Sequence, residues 1–147
     1  MKIVIGSDHA GYALKQAVAE HLRNRGMDFT DFGTYGETAA DYPDIAAKVA
    51  AAVADGRFDR GILVCGTGVG MSMAANKIKG IRAAAVTEHF GARYTRAHND
   101  ANILCLGERV TGPGTACDLT DIFLSVEFEG GRHAARVDKI MNLEKPL

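Results

Sequence analysis

One segment of the sequence places a thiol beside a run of glycines. In GILVCGTGVGMS, Cys65 follows an apolar run and precedes Gly66, Gly68 and Gly70, and a helical pattern begins directly afterwards. Successive backbone N–H groups in such a turn, at a helix N-terminus, bind an anion or stabilise a developing oxyanion. The same position lowers the pKa of a thiol, whose thiolate then acts as a nucleophile or a general base. A plain strand–helix turn is the alternative interpretation.

The glycines do not match the common nucleotide-binding patterns. A dinucleotide fingerprint requires a glycine at position 71, where the chain has Met71, although Glu88 follows the next apolar run at a position typical of a ribose-binding acid. A phosphate loop of the Walker type needs Gly-Lys-Ser/Thr, which does not follow the glycines. A nicotinamide-dependent oxidoreductase is therefore disfavoured.

Polar residues flank two other apolar runs. Asp8 and His9 directly follow the first run, where an Asp can hydrogen-bond a sugar hydroxyl and a His can bind an anion. Asp8 can equally be the N-cap of the first helix, and both interpretations stay open. His98 and Asn99 precede the fifth apolar run, where a helix C-cap is the ordinary interpretation.

Three arginines could bind a phosphate dianion. Arg132 and Arg136 are four residues apart and share one face of a helix, and Arg109 follows the fifth apolar run. A solvated basic helix face is the alternative. Metal-ligand patterns such as HExxH are absent, and His89 and His98 are nine residues apart, which puts them on opposite helix faces, so we expect no metal.

The composition limits the class of protein. The chain has 147 residues and a mass of 15.6 kDa, the size of one domain. Its 17 basic and 18 acidic residues give a net charge of −1, which argues against general nucleic-acid binding. The N-terminal apolar run is too short for a signal peptide or a membrane span, and the three cysteines show no CxxC spacing. We therefore expect a cytoplasmic protein in which Cys105 and Cys117 are structural thiols.

Short β-branched runs alternate with helical patterns along the chain. Five strands are predicted, at residues 2–5, 29–32, 61–64, 83–86 and 103–106. This alternation predicts a single α/β domain over residues 1–147, with a doubly wound, parallel five-stranded sheet in three layers, Rossmann-like or flavodoxin-like. An extra C-terminal helix, predicted over residues 132–145, has no evident place on such a sheet, so we expect it to dock on a second subunit.

Ligands of open α/β sheets bind beyond the carboxyl ends of the strands. This rule selects five loops as parts of a candidate site. They are residues 6–11, 33–43, 65–70, 87–89 and 107–114.

The chain resembles the B-type ribose-5-phosphate isomerase family, which also contains allose- and galactose-6-phosphate isomerases. The resemblance covers essentially the whole chain and rests on six segments. They are SDHAG at 7–11, DYPD at 41–44, CGTGVGMS at 65–72, AANKIKGIRAA at 74–84, HNDANILCLGER at 98–109 and GGRHAARVDKI at 130–140.

This resemblance implies aldose–ketose isomerisation of a sugar phosphate through a cis-enediolate, without metal or cofactor. By analogy, Cys65 moves a proton between C1 and C2, Thr67 relays a proton, and His98 assists opening of the furanose ring. Some family members use a Glu within the loop as the base, but no acidic residue lies between Cys65 and Asn76. The implied binding residues are Asn99 and the glycines 66, 68 and 70 for the enediolate, Asp8 and Tyr42 for the sugar, and His9, Arg109, Arg132 and Arg136 for the phosphate.

The resemblance also implies dimers in which both subunits complete each site. We therefore expect a homodimer or a tetramer of dimers, with a sugar phosphate as its partner and neither nucleic acid nor membrane. Allose 6-phosphate, galactose 6-phosphate and a tetrose phosphate remain alternatives to a pentose phosphate. A non-catalytic phosphosugar-binding module is the alternative from another class, although it would leave Cys65, His98 and Asn99 without a role.

Overall fold

The structure is a computed structural model that describes residues 1–36 and 38–145. Glu37, Pro146 and Leu147 lie outside the described residues, and Glu37 belongs to the candidate loop 33–43. The strands are β1 (Ile3–Ser7), β2 (Phe29–Asp31), β3 (Arg60–Cys65), β4 (Ala83–Ala85) and β5 (Ile103–Gly107). The helices are α1 (Tyr12–Asn24), α2 (Tyr42–Ala54), α3 (Val69–Ala75), α4 (His89–Ala97), α5 (Pro113–Ser125) and α6 (Arg132–Asn142), and a 3₁₀ turn spans His9–Gly11.

The strands form one parallel sheet, which confirms the predicted fold class. Across the described part of the chain the order is β2-β1-β3-β5-β4, with every neighbouring pair parallel. The last two strands are therefore out of chain order, and β4 lies at the edge. Composition explains this exchange: β5 is completely buried, whereas β4 is three alanines that are only partly covered. Central strands of such a sheet are buried on both faces, so the more apolar strand takes the inner position.

Two apolar cores lie on the two faces of the sheet. Alternate β-strand side chains such as Ile5, Ile62 and Leu104 pack with α1 and α5 on one face. Their neighbours Leu63 and Ile103 pack with α2 and α3 on the other. The three-layer arrangement follows from central strands whose side chains are buried on both faces of the sheet.

The C-terminal helix α6 packs on the domain by a small part of its surface. Among the described residues of α6, those classed as buried are His133 and Val137. Ile140 is 44% exposed, and Leu143, just beyond the helix, is 78% exposed. None of the helices in the two described ranges is both long and apolar enough to cross a membrane.

Candidate active site

A cleft opens between the carboxyl ends of β1 and β3, where the chain connections diverge. From β1 the chain leads to β2 on one side, whereas from β3 it leads towards β4 and β5 on the other. Ligands of open α/β sheets bind at such a switch point. The cleft has a volume of about 320 Å³, and its lining residues come from four of the five predicted loops. They are Asp8, His9, Ala10, Tyr42, Cys65, Gly66, Thr67, Gly70 and Arg109.

The Cys65 thiol lies at the end of β3, where the strand opens into the glycine turn. The residue is 5% exposed, and its Sγ accepts a hydrogen bond from the backbone N–H of Gly68 at 3.1 Å. Gly68 adopts a φ of 80°, a left-handed conformation that glycine reaches without steric cost. This N–H donor stabilises negative charge on the sulfur, as a general base or nucleophile requires.

The turn after β3 is held against the loop after β5 by backbone contacts. The N–H groups of Glu108 and Arg109 donate to the carbonyls of Cys65 and Gly66 at 2.9 and 3.0 Å. A Cβ at Gly107 would lie 2.5 Å from the backbone of Thr67, closer than real Cβ contacts allow. The absence of a side chain at this position therefore sets how closely the two loops approach, and so fixes where Thr67 lies.

The sugar-facing candidates Tyr42 and Thr67 come from different elements. Tyr42 is the first residue of α2, and its ring lies so close to Gly70 that a Cβ at Gly70 would be 2.9 Å from it. The Thr67 hydroxyl accepts a hydrogen bond from the N–H of Val69 at 3.3 Å and is otherwise exposed. An exposed hydroxyl can both donate and accept, which is the property that a proton relay needs.

Asp8, His9 and Arg109 supply charge and hydrogen bonds along the same cleft. Asp8 is an N-cap, since its carboxylate accepts from the N–H of Gly11 at 3.0 Å, and it also lines the cleft, so its two interpretations are compatible. The N–H of Ala40 donates to His9 Nδ1 at 3.3 Å, which leaves Nε2 as the nitrogen that carries the proton in the neutral ring. The guanidinium of Arg109 lies beside Gly66 and can bind an anion there.

The other two cysteines differ from Cys65 in their surroundings. Complete burial in β5 raises the pKa of Cys105, with a smaller contribution from the neighbouring Cys65. Partial burial raises the pKa of Cys117 on α5, and the carboxylates of Asp121 and Asp118 add to this effect. Both thiols are therefore poor nucleophiles, which fits their predicted structural role.

The remaining predicted site residues lie at the opposite edge of the sheet. His98 and Asn99 follow α4 and precede the amino end of β5, which pairs with β3 so that Ile103 lies beside Gly61. Cys65 is four residues beyond Gly61, a rise of about 13 Å along the strand at ~3.3 Å per residue. Asn99 instead lines a separate groove of about 680 Å³ beside Ile140. One chain therefore does not bring His98 and Asn99 to the thiol.

Helix α6 places its arginines at this same opposite edge. His133, in the first turn of α6, stacks on His98 with ring centroids 3.9 Å apart, and Arg132 and Arg136 flank it on the helix. Arg109 is thus separated from the other two phosphate candidates within one chain. The predicted site residues form two groups, one around Cys65 and one around His98.

Sequence reasoning missed two residues of the second group, Glu129 and His133. With His98 they form a cluster of possible metal ligands whose ligand atoms lie within 4.8 Å of one another. The imidazole rings are stacked at 8° to each other, so their nitrogen lone pairs run side by side, whereas a metal needs lone pairs that converge at ~2 Å from each nitrogen. The cluster as it stands is not arranged to hold a metal. The signal in the sequence was the i, i+4 spacing of Glu129 and His133.

A doubly wound α/β fold with a hydrogen-bonded thiol, a glycine turn and anion-binding side chains at its switch point defines a class. It is the class of enzymes that act on small anionic substrates by proton transfer or nucleophilic attack. Comparison with known proteins makes the class narrower. The model of a family described as Ribose/Galactose Isomerase matches residues 3–140.

Three relatives show the extent of the similarity. Ribose-5-phosphate isomerase B of Escherichia coli (strain K12) is 47% identical over 144 residues, which are 98% of this chain and 97% of that protein. The structure of a Clostridium thermocellum ribose-5-phosphate isomerase B is 58% identical, with a TM-score of 0.96 and coverage of 98% and 97%. The Mycoplasma genitalium ribose-5-phosphate isomerase B, solved with bound ribulose 5-phosphate, is 44% identical, with a TM-score of 0.93 and coverage of 99% and 97%.

The chain belongs to this family of ribose/galactose isomerases, in its ribose-5-phosphate isomerase B branch. It is an aldose–ketose isomerase of a sugar phosphate. The resemblance seen in the sequence segments is thereby confirmed.

Proposed function

We propose that this chain interconverts ribose 5-phosphate and ribulose 5-phosphate in the cytoplasm. The Cys65 thiolate removes the C2 proton of the open-chain aldose, and the electron pair moves to O1, which gives a cis-enediolate. Thr67 relays the O2 proton to O1, and the Cys65 thiol returns its proton to C1. The amides of the glycine turn and Asn99 stabilise the negative charge. No metal or cofactor takes part in these steps.

The hydrogen bond between Cys65 and Gly68 carries this proposal. Proton abstraction next to a carbonyl needs a base and nearby N–H donors for the oxyanion, and the turn supplies both within a few residues. His9 and Arg109 lie in the same cleft and suit the phosphate, and Asp8 and Tyr42 suit the sugar hydroxyls. The printed name of the E. coli relative and the ribulose 5-phosphate in the M. genitalium structure favour the pentose phosphate.

We also propose that the working unit is a homodimer or a tetramer of such dimers. Each site then combines the Cys65 group of one subunit with the His98 group of the other. The separation of the two groups to opposite edges of the sheet supports this arrangement. Exposed apolar side chains occur next to both groups, namely Val69 and Met73 on α3 and Ile140 on α6. Burying them against a second copy would remove apolar surface from water.

Kinetics with a series of substrates tests the proposed activity. We expect kcat/KM to be highest for ribose 5-phosphate when it is compared with allose 6-phosphate, galactose 6-phosphate and erythrose 4-phosphate. A higher kcat/KM for one of the other sugar phosphates would identify that sugar phosphate as the substrate and leave the proposed proton-transfer chemistry unchanged. A phosphosugar that binds without turnover would favour the non-catalytic binding module instead.

Mixing two inactive variants tests the shared site. Cys65→Ala and His98→Ala each remove the proton-transfer side chain of a different group, so a mixed dimer contains one site with both defects and one site with neither. After unfolding and refolding an equimolar mixture, we expect about a quarter of the wild-type activity, since half of the dimers are mixed and half of their sites are intact. Activity no higher than the sum of the two separate variants, with dimers present by sedimentation, would show that each site lies within one chain.

A further inference from the structure

The imidazole of His98 is enclosed between two other rings. On one side the ring of His133 stacks on it, with centroids 3.9 Å apart and planes 8° apart. The ring of Tyr94, one turn earlier on α4, also packs on it, with centroids 4.6 Å apart. The side chain of His133 is only 9% exposed, so its ring is a fixed surface rather than a mobile one. This packing restricts the plane in which His98 can present its nitrogens.

One carboxylate faces both imidazoles. An oxygen of Glu129 lies 3.6 Å from His98 Nε2 and 3.6 Å from His133 Nε2. The charged groups around the pair are Glu129 on the preceding loop and Arg132 and Arg136 on α6. One negative charge beside two imidazoles favours a single proton on the pair, because two stacked imidazolium rings would repel each other.

The hydrogen bonds decide which imidazole carries that proton. Arg132 Nε–H donates to His133 Nε2 at 3.5 Å, and since an arginine N–H cannot accept, this nitrogen of His133 is unprotonated. Removal of water around the ring lowers the pKa of His133, and the positive charges of His98 and Arg132 lower it further, while Glu129 opposes them. His133 is therefore neutral.

We propose that His133 and Glu129 are positioning residues for ring opening of the sugar: the neutral His133 ring fixes the plane of His98, and the Glu129 carboxylate, 3.6 Å from His98 Nε2, orients that nitrogen. This proposal rests on the proposed function, in which His98 opens the furanose. In that step His98 Nε2–H donates its proton to the ring oxygen while the bond between C1 and that oxygen breaks. The C1 hydroxyl loses its proton to water and becomes the aldehyde, so the charge balances.

The chemistry of the two substrates separates ring opening from proton transfer. Ribose 5-phosphate closes into a furanose and must be opened, whereas ribulose 5-phosphate has no free 5-hydroxyl with which to close one. Exchange of the C1 proton of ribulose 5-phosphate with deuterated water therefore needs the Cys65 base but no ring opening. A residue that acts only through His98 affects turnover of ribose 5-phosphate and leaves this exchange intact.

The experiment compares both reactions in three variants. We expect His133→Ala to lower kcat for ribose 5-phosphate by about tenfold or more, which is part of the 10²–10⁴ that a positioned acid contributes. His133→Phe restores a flat, uncharged ring, so we expect turnover within about threefold of wild type. Glu129→Gln removes the negative charge that lies 3.6 Å from His98 Nε2, so we expect kcat for ribose 5-phosphate to fall, by less than in His133→Ala because the carboxylate is partly exposed. In all three variants the deuterium exchange should stay within about twofold of wild type.

A matched histidine–carboxylate pair outside the site serves as the control. His21 on α1 pairs with Asp121 at 2.9 Å, and His21→Asn should change neither reaction. Equal losses of turnover and exchange in His133→Ala, or no recovery in His133→Phe, would overturn the positioning role. An unchanged kcat for ribose 5-phosphate in Glu129→Gln would show that Glu129 does not position His98. A wild-type protein that neither isomerises nor exchanges would instead refute the proposed function itself.

Discussion

Replacing Cys65 tests the base directly, and the structure allows two matched variants. In Cys65→Ala the buried N–H of Gly68 loses its acceptor, which costs about 1–3 kcal/mol of the free energy of unfolding. Cys65→Ser keeps an acceptor at nearly the same place, so its stability should stay closer to wild type. Neither loss is enough to unfold a domain whose stability is typically ~5–15 kcal/mol.

Both variants should lose isomerisation to the same extent, because a hydroxyl is far more weakly acidic than a thiol and offers no base at neutral pH. A general base contributes about 10²–10⁴ in rate, which corresponds to ~3–5 kcal/mol of the activation barrier. The phosphate-binding side chains are untouched, so binding of ribulose 5-phosphate by calorimetry should remain.

Exchange of the substrate C2 proton with deuterated water, followed by NMR, is the decisive assay. Cys117→Ser is the control, since that thiol lies on α5, away from the cleft residues. Iodoacetamide should inactivate the wild type, and bound substrate should protect it. If Cys65→Ser exchanges the proton at the wild-type rate, another group is the base and the assigned chemistry is wrong.

Four further predictions concern other parts of the molecule. Arg136→Ala should raise KM about tenfold or more with little change in kcat, because a phosphate contact is present in ground and transition states alike; equal KM values would remove Arg136 from the site. Gly107→Ala should lower kcat because its Cβ would lie 2.5 Å from the Thr67 backbone, whereas Gly114→Ala, with nothing within 4 Å, should leave kcat unchanged. Turnover should be the same before and after EDTA treatment; loss with EDTA and recovery with a divalent ion would contradict the metal-free steps. Folding lowers the pKa of His133 from its ordinary 6.5, so the unfolded state binds more protons below that pH. The free energy of unfolding should therefore fall as the pH drops from 6.5, and His133→Phe should reduce this dependence in urea titrations.

Local patterns in the sequence predicted the sheet and the cleft well because both depend on short-range information. The apolar runs predicted to end at Ile5, Val64 and Leu106 place their following loops at one edge of any parallel sheet, so the residues around Cys65 could be grouped without coordinates. The exchange of β4 and β5 was not predicted, since it depends on which strand is better buried in the completed sheet.

The position of the second group of site residues, around His98, could not be predicted from the sequence. His98 was assigned to the reaction by resemblance, but no local pattern indicates that it lies across the sheet from Cys65. Its contacts with Glu129 and His133 join residues about thirty positions apart and depend on how α6 packs against the end of α4. Glu129 lies on the loop before α6 and His133 on its first turn, so only the folded chain brings the two side chains to His98.

The strand order has a consequence for synthesis on the ribosome. β4 pairs with β5 and with no other strand in the described sheet, yet it is translated first. At about 5–20 residues per second, the segment from Ala85 to Ile103 takes roughly one to four seconds to appear, and during this time β4 has no strand to join. The nascent chain can build β2-β1-β3 early, but β4 must wait for β5. The strand that carries Cys65 can therefore pair with β1 before the chain that supplies Arg109 has been made, and the cleft is completed only when β5 joins the sheet.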